Sequence, residues 1–523
     1  RNIFQDVDWA TLLFLIGITY VKLYVKIAAI CFYLVWLIYK KYKTTNFPGF
    51  SRFYFLMPVM GIVTPLLNGS FNADGYMFGY AMGVVNWLLA GVASYFLCVA
   101  VVNNPVHKLR STVKIFFLFN ALFSFGELGR MMIDSGQLVP YWYWEPTEYY
   151  GGSTGDHVKG LFSNISVANA TANAIGVIYF VYHKELKWAI LCVLVLLLCT
   201  SNLTLILLLL FLFAMLVLLK ERKAKMQVLA VLAAIGIVYP ILSLNNIKYV
   251  GAVYTQERER EKEKGTQPTA AKKVMQPEIG DFSGIATAGN YYLHKESYYK
   301  LPLNDSQLIS YKDDLKYLQQ FGSARSRSND NLHLEPAVLR SIIEKWYGIP
   351  YAKTPLAKDP GLVKLYTGKQ TLNYLKSSMK HLLFGAGVGN FSSKQAIKST
   401  GLGLQGSYPT KYIYVSNDFL QYHLYSLMFV FSMPISEHSI INMPNSIYNQ
   451  LAGEYGLAGI AAFIVFYIGY IWKKRRSLKA SRYIIPLVFL FFGFEYWFEM
   501  ISLTALFELI IFIDIYKQDE PTA

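Results

Sequence analysis

Apolar runs separated by short polar stretches recur near residues 8–21, 25–39, 53–68, 76–102, 113–129, 163–182, 186–200, 203–219, 226–243, 455–472, 482–498 and 502–517. A helix needs about 20 mostly apolar residues to cross a bilayer, and fewer where neighbours shelter it. The pattern therefore predicts about twelve transmembrane helices, of which the first two are short enough to be one broken helix. Between the ninth and tenth runs, from about Leu244 to Glu454, lies a hydrophilic loop that carries most of the charge. In it, Leu332 to Tyr347 and Leu372 to Leu383 place apolar residues every three to four positions, which predicts helices folded as a cap. Tyr412 to Ile435 is apolar enough to lie on or dip into a membrane surface, and the mixed-charge run Gln256 to Lys264 reads as a solvated helical face or a mobile segment. Three regions follow: an N-terminal bundle over 1–243 with about nine helices, the loop over 244–454, and about three more helices over 455–523.

Cations orient these spans. Lys40, Lys41 and Lys43; His107, Lys108 and Arg110; His183, Lys184 and Lys187; Lys220, Arg222, Lys223 and Lys225; and Lys473 to Arg476 alternate so that all are cytoplasmic together. Both termini then lie inside, and residues 68–75, 130–162 and the long loop lie outside. Composition agrees: 54% hydrophobic and only 16% charged residues, with a mean hydropathy of +0.31, describe a polytopic membrane protein. The net charge of +16 then belongs to cytoplasmic loops and anionic headgroups, and no nucleic-acid partner is expected. Cys31, Cys98, Cys192 and Cys199 all sit in apolar runs, so no disulfide framework or metal-type spacing is available. No cleaved-signal pattern follows Arg1, which leaves targeting to the first membrane helices.

Two polar motifs stand out. Gly385, Gly387 and Gly389 in Leu383-Phe-Gly-Ala-Gly-Val-Gly-Asn-Phe391 permit positive φ, and the segment is either a plain turn or a set of amide donors for a phosphate. No Lys-Ser/Thr follows it, so a nucleotide P-loop is not supported. Asn445 to Gly459 puts a carboxylate, Glu454, at the mouth of a membrane helix.

Taken in order, the motifs resemble the O-antigen polymerase and O-antigen ligase superfamily of bacterial envelope glycosyltransferases. Gly368-Lys369, a helix over Leu372 to Lys380 and the glycine turn ending in Asn390-Phe391 are similar to the family's Gly-Arg, helix and glycine-rich turn. Asn445-Ser446, nine residues, then Gly456 and Gly459 resemble the ligase signature; Lys159-Gly-Leu-Phe-Ser-Asn164 and Ser201-Asn202 resemble two further family positions. Three residues depart from the pattern: Asn445 stands where the family has histidine, and Lys369 and Asn202 where it has arginine.

The resemblance implies an all-α polytopic membrane protein with a large helical extracytoplasmic loop, a GT-C-like arrangement in a bacterial inner membrane with the loop periplasmic. It implies transfer of an undecaprenyl-diphosphate-linked glycan to a glycan or lipid-linked acceptor, with no cofactor or metal and with envelope polysaccharide-assembly proteins as partners. A polymerase fits better than a ligase because the ligase histidine is absent. A lipid-glycan transporter and a non-catalytic relative are the rival expectations. Charge develops on the leaving diphosphate, so cations and amides are needed there. The candidates are Lys369, Arg130, Arg325, Arg327, Asn202, Asn390 and the turn glycines. A base for the acceptor hydroxyl is sought in His438 and Glu454, with Asn445 beside them. Each has a structural alternative: Lys369 as a surface lysine, Arg130 paired with Glu127, the two loop arginines as solvated, His438 as interfacial and Glu454 as a cap for a helix near Gly456. Tyr141 to Tyr150 reads as an interfacial aromatic belt or a sugar-stacking face, and Glu495, Glu499 and Glu508 are expected to face the bundle interior.

Overall fold

Each of the twelve apolar runs falls on helix in the computed structural model, which describes residues 3–242 except 74, 143–153 and 164, then 363–400, parts of 408–427, and 443–517. Among the described residues all regular structure is helical. The first ten helices are α1 (Trp9–Thr19), α2 (Leu23–Tyr39), α3 (Gly49–Met60), α4 (Val63–Asn68), α5 (Tyr76–Asn103), α6 (Val106–Ser135), α7 (Ser166–Tyr182), α8 (Leu186–Leu198), α9 (Asn202–Leu218) and α10 (Arg222–Leu242). Beyond the loop's undescribed part come α11 (Val363–Lys376), α12 (Met379–Phe384), α13 (Lys394–Ser399), α14 (Ile447–Lys473), α15 (Ser481–Phe491), α16 (Trp497–Met500) and α17 (Ser502–Tyr516). Among the described residues five segments are long and apolar enough to cross a membrane: Gly49–Leu67, α5, α6, α10 and α14. Shorter apolar helices α1, α2, α8, α9 and α15 accompany them, and the chain is a helical membrane protein.

The first two runs are two helices folded as a hairpin, not one broken helix. Thr11 Oγ1 lies 2.9 Å from the Tyr33 hydroxyl, and a Cβ on Gly17 would come within 2.6 Å of the Ala29 Cβ. Small residues at that crossing let the backbones approach closely, and Phe14 stacks on Tyr33 at 4.5 Å. The Val21 amide at the hairpin tip reaches Ser163 Oγ, while Asp8 at its foot accepts from Asn104 Nδ2 at 2.8 Å.

Gly456 breaks α14 with φ 61° and ψ −153°, and Phe463–Ile468 relaxes into a π-turn. The sequence pattern starts this span at 455; the helix begins at Ile447, capped by the Ser446 side chain on the Tyr448 amide. The run at 482–498 is likewise interrupted, because α15 stops at Phe491. There the Phe492 carbonyl accepts from the Ile447 amide at 2.8 Å and the Trp497 indole donates to the Phe491 carbonyl at 2.8 Å. Residues 492–496 become a buried turn that brings Glu495 beside the start of α14.

In the loop, Leu372 to Leu383 spans two helices rather than one, since Ser378 starts α12 by accepting from the His381 amide at 3.1 Å. The segments Leu332 to Tyr347 and Gln256 to Lys264 lie outside the described residues.

Candidate functional site

The glycine turn is clamped between α14 and the start of the bundle. Gly385, Gly387 and Gly389 adopt φ of 66°, 90° and 72°. At the first two the neighbourhood also demands glycine: a Cβ on Gly385 would lie 2.4 Å from the Glu454 carbonyl carbon, and one on Gly387 2.3 Å from the Pro65 ring. The Ala386 amide donates to the Gly453 carbonyl and the Gly387 amide to the Glu454 carbonyl, both at 2.8 Å; Val388 N–H donates to the Gly61 carbonyl at 3.3 Å. Gly389 N–H donates to Glu454 Oε1 at 2.8 Å. These amides are committed to protein acceptors, so the turn acts as a clip and does not cradle a phosphate with them. Asn390 is buried with its side-chain amide on the Ala386 carbonyl at 3.0 Å, and belongs to the same clip.

Glu454 therefore does not cap a helix near Gly456. It is fully buried inside α14 and anchors the turn.

Past the clip, Ser393 caps α13 by accepting from the Ala396 amide at 3.1 Å. This short helix carries Lys394 and Lys398 one turn apart. The Lys394 amide donates to Glu499 Oε2 at 2.6 Å, and Ser392 Oγ lies 2.7 Å from the Tyr496 hydroxyl. The Lys394 and Lys398 ammonium groups interact electrostatically with Glu499, and Lys26, from the tip of the α1–α2 hairpin, interacts with both. Lys26 also donates to the Met500 carbonyl. Ile501, next in the chain, holds φ 65°, a backbone state that costs a β-branched residue about 1–3 kcal/mol and needs such surrounding restraint.

Asn445 and Glu495 complete the cluster. The buried Asn445 side-chain amide donates to Glu495 Oε1 and Oε2 at 3.0 and 3.2 Å, and the Tyr496 amide donates to Oε1 at 3.0 Å. Lys364, from α11, donates to the Asn445 carbonyl. Lys364 is half-buried, and burial lowers its ammonium pKa to about 7 against the opposing pull of Glu495. Burial likewise lowers Lys394 to about 8, with the Lys398 charge adding and Glu495 and Glu499 opposing. Lys398 is lowered too, by burial first.

Compared with protein-family models, curated proteins and solved structures, the chain matches none. The geometry alone thus carries the site. It consists of cations Lys364, Lys394, Lys398 and Lys26 gathered with Glu495 and Glu499, behind a clip built on Glu454.

Several sequence candidates fall elsewhere. Lys369 is exposed on α11, one and a half turns from Lys364. Arg130 is exposed and pairs with Asp134 Oδ2 at 3.4 Å; Glu127 instead accepts the Lys159 and Gly160 amides at 2.7 and 2.8 Å. Asn202 opens α9 and accepts from the Tyr239 hydroxyl of α10 at 3.1 Å. Arg325, Arg327 and His438 lie outside the described residues, as does most of Tyr141 to Tyr150; Tyr141 itself is buried with its hydroxyl on the Leu198 carbonyl. A buried histidine, His423, lies 2.9 Å from Thr371 Oγ1 and 3.1 Å from the Thr367 carbonyl, both on α11, and burial lowers its pKa to about 3; Thr371 in turn reaches Asn449 Oδ1 of α14 at 3.1 Å.

Glu495 and Glu499 are buried, as expected of the bundle interior. So is Glu508, which accepts from the Tyr54 and Tyr467 hydroxyls at 2.7 and 3.0 Å and has a structural role. Lys364, Lys394 and Lys398 were not singled out from sequence, although Lys394 and Lys398 follow the glycine turn at the four-residue spacing that shares a helical face.

Proposed function

We propose that this chain is a membrane glycosyltransferase of the O-antigen polymerase and ligase type, transferring a glycan from a polyprenyl diphosphate to an acceptor hydroxyl. The observation that carries this reading is the convergence of Lys364, Lys394 and Lys398 on Glu495 and Glu499, beside the position where the resembling family has its histidine. Half-buried ammonium groups gain from nearby anions; Glu495 and Glu499 supply part of that charge, and a lipid diphosphate adds to it. As the sugar C1–O bond breaks, negative charge grows on the leaving diphosphate, and cations fixed in a low-dielectric site stabilise it without reorganising. Lysines act as point charges and lack the bidentate fork of arginine, so the grip follows charge more than orientation.

Asn445 in the histidine position favours a polymerase over a ligase. Sidedness in this reading follows the cations: the Lys43 amide meets Asn103, Lys184 pairs with Glu221 and Lys517 reaches the Val102 carbonyl, all at the end of the bundle opposite Lys394. Both termini are then cytoplasmic, and the site opens to the periplasmic face of a bacterial inner membrane. Undecaprenyl-diphosphate glycan is the donor and a glycan or lipid-linked glycan the acceptor, with envelope polysaccharide-assembly proteins as partners.

The test is transfer by the purified full chain from a panel of synthetic polyprenyl-diphosphate oligosaccharides. Release of polyprenyl diphosphate with a lengthened glycan supports the reading. Binding without release contradicts it in favour of a non-catalytic relative, and translocation without release in favour of a transporter.

A further inference from the structure

An acceptor hydroxyl must lose its proton as it attacks C1, and the residue in the resembling family's histidine position cannot take it: an amide is not a base at neutral pH. The neighbouring geometry supplies another group. Asn445 Nδ2 faces both oxygens of Glu495, and a carboxylate accepts only, so the amide orientation is set and Oδ1 points away from Glu495. Asn445 is only 2% exposed, yet Oδ1 has no hydrogen-bond partner among the described residues. A buried amide oxygen left without a donor is unfavourable, and a ligand hydroxyl at this place would satisfy it.

Resting on the glycosyl-transfer reading, we propose that Glu495 is the general base of this enzyme and that Asn445 orients it while receiving, through Oδ1, a neighbouring hydroxyl of the acceptor sugar. The pair replaces a histidine by a carboxylate and an aligning amide. Glu495 takes the acceptor hydroxyl proton as the oxygen forms its bond to C1. The C1–O bond to the diphosphate breaks, its electron pair leaving with the diphosphate, whose charge meets Lys364 and Lys394. The proton on Glu495 then passes to water or to the released diphosphate. No oxidant, reductant or further reactant is needed.

Three observations fit a base rather than a structural ion pair. Glu495 sits in a turn outside any helix, where its carboxylate is fixed by two separate donors, Asn445 Nδ2 and the Tyr496 amide. Lys364 bonds the Asn445 carbonyl rather than the carboxylate, which leaves Glu495 acceptor capacity for an incoming hydroxyl. Among the described residues the other buried carboxylates already have protein partners: Glu454 holds the glycine clip, Glu499 caps α13, Glu508 holds two tyrosines, Asp8 accepts from Asn104, and Asp514 accepts the Lys479 and Ser481 amides.

The experiment uses the full chain with a polyprenyl-diphosphate oligosaccharide, with either a sugar hydroxyl acceptor or azide as nucleophile. Azide is already anionic and needs no base; it forms glycosyl azide as polyprenyl diphosphate leaves. Glu495→Gln is expected to lose roughly 10²- to 10⁴-fold in transfer to the hydroxyl. Its transfer to azide and its donor binding are expected to stay within about threefold of wild type, and Glu495→Asp to recover part of the hydroxyl reaction. Asn445→Ala is expected to raise KM for the hydroxyl acceptor more than it lowers kcat. Retained hydroxyl transfer by Glu495→Gln overturns the base assignment while leaving the glycosyl-transfer reading intact. Equal loss with azide and hydroxyl, at normal donor binding, also overturns it, making Glu495 structural. Absence of transfer and diphosphate release by wild type with every donor overturns the underlying reading as well. Should Glu495→Gln fail to fold, Glu495→Asp decides through the ratio of hydroxyl to azide transfer, an unchanged ratio overturning the assignment.

Discussion

The Gly389 amide donates to the Glu454 side chain at 2.8 Å, tying the glycine turn to the interior of a membrane helix 65 residues later in the chain. Through that bond the broken helix α14, the turn and the lysine-bearing α13 become one unit. Glu454→Ala is expected to destabilise the protein by about 1–3 kcal/mol, because a buried amide loses its acceptor, whereas Glu454→Gln keeps a carbonyl oxygen and loses less. Thermal unfolding in detergent checks this; equal midpoints for the two variants would contradict it.

The turn glycines differ in what surrounds them. Gly389→Ala pays mainly for its left-handed backbone, about 1–2 kcal/mol, since the nearest atom to a new Cβ is Gln395 Cβ at 3.9 Å. Gly385→Ala adds a collision with backbone at 2.4 Å and is expected to be distinctly worse. Unfolding midpoints ranked the other way would show that the clip is not a packed contact.

Donor binding separates the half-buried lysines from the exposed one. Lys394→Ala and Lys398→Ala are each expected to weaken binding of a polyprenyl-diphosphate glycan about tenfold or more, the scale of a charge-assisted hydrogen bond of about 1.5–3 kcal/mol. Lys369→Ala, exposed on α11, is expected to change it less than about twofold. Titration of the three variants by scintillation proximity with labelled donor gives the comparison.

Acidity acts in opposite directions on binding and on stability. Lys364 and Lys394 fall from 10.5 to about 7 and about 8 in the folded protein, so donor affinity is expected to be strongest below pH 7 and to weaken as pH rises through 7 to 8. Without donor, the unfolded chain holds more protons than the folded one between those values and 10.5. The contribution of these lysines to stability therefore rises with pH across that window. Affinity and unfolding midpoints from pH 6 to 9, for wild type and for Lys364→Met, check both signs.

Much of the fold was legible in the hydrophobic pattern, because a bilayer-length apolar run has few alternatives to helix. The α1–α2 hairpin was not, since only three residues separate the helices and the contact that folds them, Gly17 on Ala29, is invisible to periodicity. Nor was the stop of α15 at Phe491: residues 492–496 are apolar apart from Glu495, and a hydrogen bond from Ile447 turns the chain there. The glycine turn was readable as a turn, but the partners of its amides lie in a helix far along the sequence. The lysines of the site looked like ordinary loop lysines. Their burial depends on α11, α13 and the hairpin tip meeting in space, and no local spacing encodes that meeting.

The most direct measurement is lipid-linked glycan lengthening in proteoliposomes, comparing wild type, Lys369→Ala and the double variant Lys394→Ala/Lys398→Ala by mass spectrometry of product and released polyprenyl diphosphate. The account predicts lengthening with equal release by wild type and Lys369→Ala, and loss of both in the correctly folded double variant. Lengthening by the double variant at the wild-type rate would contradict it.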